Sequence, residues 1–191
     1  MTQQEHSRPA PHALPRESWQ SIRAIICDVD GTMTDGGIWI DDLAREAKRF
    51  DVHDGLGIAL WRAAGGRFGV VTGRRGLALA HRLKELGVDA LAQGSSEKAS
   101  DVRALCERWS IAPSDCVFVG DDLPDIPAMH ACAFGIAVAS ARAEVVACAS
   151  AVTLANPGAG AIREVIEAAL RAQGKWGQVV ERFGASQGAM S

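Results

Sequence analysis

After Trp19 the chain alternates short apolar runs with longer amphipathic stretches. The runs fall at residues 24–27, 68–71, 90–92, 116–119, 134–138 and 151–154. Several are apolar at successive positions, the pattern of strands covered on both faces; a strand with one wet face alternates instead. Between them, near 55–64, 76–86, 97–109, 124–131, 142–147 and 161–172, lie helical candidates. Strands and helices in alternation predict β-α-β units, and so an α/β domain around a parallel central sheet.

One segment breaks the rhythm. Residues 36–40 and 46–50 flank a polar turn, Asp41-Asp42-Leu43-Ala44-Arg45, and predict a small β-hairpin inserted after the first strand. No stretch is left that could form a second domain, so any lid over a site must be small or come from another subunit. The expected division is a flexible leader over 1–20, one domain over 21–172 with its hairpin at about 36–50, and a tail over 173–191. The leader is polar with three prolines up to Arg16 and has no apolar signal-peptide core. In the tail, 179–183 form a short amphipathic piece that docks on a surface or lies loose.

Composition removes several function classes. A formal net charge of -3 and the lack of any Lys/Arg run argue against nucleic acid as a partner. No apolar run is long enough to span a bilayer, so no membrane partner and a cytoplasmic location are expected. The five cysteines are odd in number and form no Cys-x-x-Cys pair, which predicts free, mainly buried thiols rather than disulfides or a zinc site.

The chemistry gathers at predicted strand ends. Asp28-Val29-Asp30-Gly31-Thr32 directly follows the first strand, where ligands collect in a parallel sheet. The turn presents two carboxyl groups and backbone N–H groups to an anion. The 69–71 run leads into Thr72-Gly73-Arg74, Lys98 stands near the start of a helix, and the 117–119 run leads into Gly120-Asp121-Asp122-Leu123-Pro124-Asp125. Each has an ordinary explanation alone: Thr72 as a helix cap, Lys98 as a solvated lysine, Asp121 and Asp122 as helix-dipole partners. Together they supply a nucleophile, acids for a metal, a donor to phosphoryl oxygens, a fixed cation and a proton donor, the parts of a phosphate-ester hydrolase.

In order and spacing these residues resemble the four motifs of the haloacid dehalogenase superfamily: Asp28 to Thr32 the first, Thr72 the second, Lys98 the third, and Gly120-Asp121-Asp122 with Asp125 the fourth. The resemblance runs from about residue 22 to 172 and implies a Rossmann-like three-layer sandwich. It implies Asp28 as a nucleophile that forms a phospho-aspartate, and Asp30 as acid and then base. Thr72 and Lys98 would complete the catalytic set. Mg2+ would be held by Asp28, the Asp30 carbonyl and Asp121, with Asp122 and Asp125 behind them.

Within the superfamily the chain resembles the capless sugar-acid phosphatases, the 3-deoxy-D-manno-octulosonate 8-phosphate group above all. The likeness rests on the hairpin through Lys48-Arg49-Phe50, then Asp51-Val52-His53-Asp54-Gly55, Thr72-Gly73-Arg74, Gln93-Gly94 and the 160–165 segment. It implies a small anionic sugar phosphate as substrate and a homotetramer in which a neighbour covers each site. Asp30, His53, Asp54, Gly55, Arg74, Arg82 and Lys98 are the expected substrate contacts, with Arg163 nearby. The guanidinium groups of Arg74 and Arg82 suit a carboxylate. Two positions depart from the pattern: Ala59 stands where arginine is expected, and His53 where arginine is frequent. The other readings are a nonulosonic acid 9-phosphate as substrate, a non-catalytic sugar-phosphate-binding or oligomerisation domain, and a two-component receiver. Receivers place their phosphorylated aspartate on a later strand.

Overall fold

The structure is a computed structural model and describes residues 8–184. Its strands are β1 (Ala24–Cys27), β2 (Trp39–Ile40), β3 (Glu46–Ala47), β4 (Arg67–Thr72), β5 (Ala90–Gln93), β6 (Cys116–Gly120), β7 (Phe134–Ala137) and β8 (Ala151–Val152). Six of them form one parallel sheet in the order β5-β4-β1-β6-β7-β8, and β2 pairs with β3 as a separate antiparallel ribbon. The predicted α/β sandwich with an inserted hairpin is the fold observed.

The successive apolar positions of the strands are explained by what covers them. Ile25 and Cys27 of β1 face a core built with α2 (Val52–Ala63), α3 (Leu77–Glu85) and α7 (Ala161–Ala172). Ala24 and Ile26 face the opposite core, with α4 (Lys98–Trp109), α5 (Ile126–Ala131) and α6 (Ala143–Cys148). With both faces dry, neither phase of the strand can be polar. The chain runs outward from β1 through β4 to β5, then crosses back to β6 on the other side of β1. Strand order therefore reverses at β1, and the crevice beyond its carboxyl end is where such sheets hold ligands.

The leader is the main departure from the sequence-based expectation. Residues 1–7 lie outside the described residues, but from Arg8 onward the segment packs against the domain. Pro9 accepts a backbone hydrogen bond from Val152, and Arg16 caps the end of α7 through the Ala172 carbonyl. In α1 (Arg16–Gln20) the Trp19 side chain is buried and meets the Phe134 ring edge-on at 5.1 Å between centroids. Burial of an indole at the sheet margin outweighs the disorder that prolines and polar residues suggest. In the tail, α8 (Trp176–Glu181) docks, with Arg163 and Arg171 over the Trp176 ring.

Candidate active site

β1 delivers Asp28 into the crevice, its N–H still donating to the Val119 carbonyl at 3.0 Å. From α4, the buried Lys98 ammonium lies 2.9 Å from Asp28 Oδ1 and 2.6 Å from Asp125 Oδ1. The other Asp125 oxygen accepts the backbone N–H groups of Asp121 at 2.9 Å and Asp122 at 3.2 Å. Thr32 donates its hydroxyl to Asp121 Oδ1 at 2.9 Å. Glycine is required at two points in this mesh. Gly31 has φ +87°, and a Cβ there would sit 2.2 Å from Asp121 Oδ2; at Gly120 a Cβ would fall 2.5 Å from the Asp125 carboxyl.

Carboxylate oxygens of Asp28, Asp121 and Asp125 can all lie within 4.8 Å of one another. Burial, reinforced by the neighbouring Asp125, pushes the Asp28 carboxyl up to about 6. Burial also raises Asp121, to about 7, with Asp125 and Asp28 adding to it against the Thr32 hydrogen bond. Both oxygens of Asp125 are already engaged by Lys98 and two N–H groups, so it suits a supporting place. Asp28 and Asp121 are left to offer oxygen to a hard divalent cation such as magnesium, which these donors fit. Asp122 caps the following turn through the Leu123 N–H at 2.8 Å and helps hold Asp125 in register.

Thr72 closes β4, 1% exposed, and its carbonyl accepts the Ser95 N–H at 3.0 Å, tying the loop after β4 to the loop before Lys98. A cavity of about 630 Å³ opens on this side, bordered by Gly73, Ser95, Lys98, Ser100 and Arg103. On the opposite flank the hairpin brings in a residue to which sequence reasoning gave no role. Lys48, its side chain only 2% exposed, donates to Asp30 Oδ1 and lies 2.9 Å from Glu46 Oε1. Glu46 Oε2 in turn accepts from Arg74 Nη2 at 2.8 Å, and Arg74 Nε lies 3.8 Å from Asp30 Oδ2. No strand pattern marked it, because β3 ends at Ala47 and Lys48 follows it.

Asp28, Asp30, Thr72, Arg74, Lys98, Asp121, Asp122 and Asp125 thus gather around one crevice. Four expected substrate contacts do not join them by any hydrogen bond or ion pair among the described residues. Asp54 is 2% exposed and accepts the Arg163 N–H at 2.8 Å, so it anchors the start of α7; burial raises its carboxyl to about 6. His53 is exposed and turns its Nδ1 to Asp51 at 3.3 Å. Arg82 lies against Gly55 where α2 meets α3, close enough that a Cβ at Gly55 would be 2.7 Å from its guanidinium, and pairs with Glu85. Ala59 is on the exposed face of α2.

Known proteins resemble the chain in sequence and fold. Residues 89–166 match the haloacid dehalogenase-like hydrolase family. The 3-deoxy-D-manno-octulosonate 8-phosphate phosphatase of Salmonella typhimurium is 37% identical over 166 residues, 87% of each chain. The crystal structure of the Moraxella catarrhalis enzyme of that name, in complex with a magnesium ion, a phosphate ion and a KDO molecule, superimposes with a TM-score of 0.85 at 33% identity. That match covers 88% of this chain and 97% of the other. A cobalt-bound form of the Haemophilus influenzae phosphatase matches with a TM-score of 0.81 at 34% identity, over 83% of this chain and 92% of the other. With motifs, topology and relatives in agreement over most of its length, the chain belongs to the haloacid dehalogenase-like hydrolases, in the group of the 3-deoxy-D-manno-octulosonate 8-phosphate phosphatases.

Proposed function

We propose that this protein hydrolyses 3-deoxy-D-manno-octulosonate 8-phosphate to the free sugar acid and inorganic phosphate, a step in making a lipopolysaccharide precursor. The observation that carries this reading is the Lys98 ammonium bridging Asp28 and Asp125 beside Asp121, at the strand-order reversal of a chain whose relatives bear that name.

Asp28 attacks phosphorus in line with the ester oxygen, and the P–O bond to the sugar breaks as a phospho-aspartate forms. Thr72 and the N–H groups after Asp28 hold the phosphoryl oxygens, while Lys98 offsets charge on nucleophile and phosphate. Asp30 gives a proton to the departing alkoxide, then takes one from the water that attacks the intermediate. Asp28, the Asp30 carbonyl and Asp121 would hold magnesium, which would supply positive charge to offset that of the phosphoryl group. Arg74 borders Asp30 and serves the sugar acid. Among the described residues no helix is long and apolar enough to cross a membrane. The reading adds a cytoplasmic site of action and a homotetramer whose neighbours complete each site.

The test is a phosphate-release panel of octulosonate 8-phosphate, nonulosonate 9-phosphates and hexose phosphates. Asp28→Asn should abolish release without unfolding, and EDTA should stop the reaction until magnesium is restored. Turnover by Asp28→Asn, or full activity in chelator, removes the mechanism; preference for another ester removes the substrate.

A further inference from the structure

We propose that Lys48 is a positioning residue that aims the Asp30 carboxyl at the ester oxygen of the substrate. The inference rests on the reading above, in which Asp30 is the proton donor, and deepens it. The Lys48 side chain is only 2% exposed, and it pairs with the carboxylates of Asp30 and Glu46. The contact clamps one oxygen of Asp30 and leaves the other, Oδ2, buried and without a hydrogen-bond partner, with Arg74 Nε 3.8 Å away. A carboxylate held at one oxygen has its plane fixed, so the direction of the second oxygen is set in advance.

Little in the hairpin requires such a lysine for folding. The β2–β3 ribbon has two residue pairs, Trp39 with Ala47 and Ile40 with Glu46, and Trp39 and Ile40 are exposed. Taking an ammonium out of water is costly, and here it is done where the hairpin meets the turn that carries the proton donor. Glu46 extends the arrangement by holding Lys48 with one oxygen and Arg74 with the other. In the step served, the P–O electron pair stays with the sugar oxygen and the proton on Asp30 Oδ2 moves to it. A proton donor must sit within hydrogen-bond reach of that oxygen, and a misplacement of about 1 Å costs about 100-fold in rate.

The test exploits the leaving group. A sugar alkoxide needs the proton, whereas p-nitrophenolate leaves without one. Lys48→Met should lower kcat on an alkyl sugar phosphate by about 100-fold with KM within about twofold, and cost less than about threefold on p-nitrophenyl phosphate. Lys48→Arg should recover part of the alkyl loss. In an Asp30→Ala background, Lys48→Met should cost nothing further on the alkyl ester, because its effect passes through Asp30. Equal losses on both esters, a raised KM at unchanged kcat, or additive losses with Asp30→Ala overturn the proposal. Melting curves report folding; if the methionine variant does not fold, Lys48→Gln is read by the same alkyl-to-aryl ratio. A wild type that cleaves alkyl phosphates but not the sugar acid ester removes the proposed substrate and leaves the Lys48 result standing. A wild type that cleaves no alkyl phosphate overturns both.

Discussion

Asp125→Asn tests whether the crevice is held together as described. Asp125 is 0% exposed, and its two oxygens accept from Lys98 at 2.6 Å and from the N–H groups of Asp121 and Asp122. Asparagine keeps the shape but replaces one acceptor with a donor. Whichever way the amide turns, an NH2 faces either an ammonium or two backbone N–H groups. Breaking a buried ion pair by removing one partner costs about 3–5 kcal/mol. Lys98 keeps Asp28 at 2.9 Å, and Asp28 and Asp121 lose a like-charged neighbour. Those offsets reduce the loss to about 2–3 kcal/mol, which for a domain of this size lowers Tm by about 5–10 °C. Because Asp125 aims Asp121 through its backbone, magnesium affinity or turnover should also fall by about 10–100-fold. Thermal melts in EDTA and phosphate release across a magnesium titration measure both effects. A variant melting within about 2 °C of wild type with an unchanged magnesium requirement would refute the reasoning. The Asp41–Arg45 pair is just as short, at 2.6 Å, but solvent-exposed, and Asp41→Asn should leave Tm unchanged.

Two further outcomes are expected. The carboxyls of Asp28 and Asp121 are raised to about 6 and about 7 in the folded chain, so the metal-free protein holds these protons more tightly than the unfolded one. Its stability from these groups therefore falls as pH rises from about 4 to about 7, while magnesium requires the deprotonated forms. The Tm increase produced by magnesium should be larger at pH 7.5 than at pH 5.5, and an equal increase at both would contradict the assignment. Ile38, Trp39 and Ile40 are exposed along the hairpin, so Trp39→Asp with Ile40→Asp should yield smaller species in sedimentation if hairpins join the subunits; an unchanged mass counts against that assembly.

The sheet was legible because parallel strands dry on both faces cannot hide among polar residues, and the Asp28 cluster because its members stand at strand ends. Trp19 was not legible. One indole among prolines sets no period, and its partner Phe134 lies far along the chain. The bond between Asp54 and the Arg163 N–H was hidden for a related reason: the two are 109 residues apart, and no local pattern marks a carboxylate that caps a distant helix. Arg82 read as a free cation because helix spacing shows its face but not the glycine opposite. Lys48 sits in Glu46-Ala47-Lys48-Arg49, a stretch polar enough to pass for solvent-facing hairpin.

The pairing of charges divides the crevice into two parts with different needs. On the Lys98 side, three carboxylates, Asp28, Asp121 and Asp125, face one ammonium, leaving two negative charges if all three are ionised. A divalent cation supplies that charge, and until it does the cluster repels a phosphate dianion, while burial, reinforced by the neighbouring carboxylates, holds Asp28 and Asp121 in the raised range. On the hairpin side, Asp30 and Glu46 face Lys48 and Arg74, two charges against two with Asp30 ionised and a positive excess when it carries its proton, so this part needs no further cation. The metal requirement therefore belongs to nucleophile and phosphoryl group, while orientation of the proton donor belongs to the hairpin. Weakening the first should be partly recovered by more magnesium, and weakening the second should not.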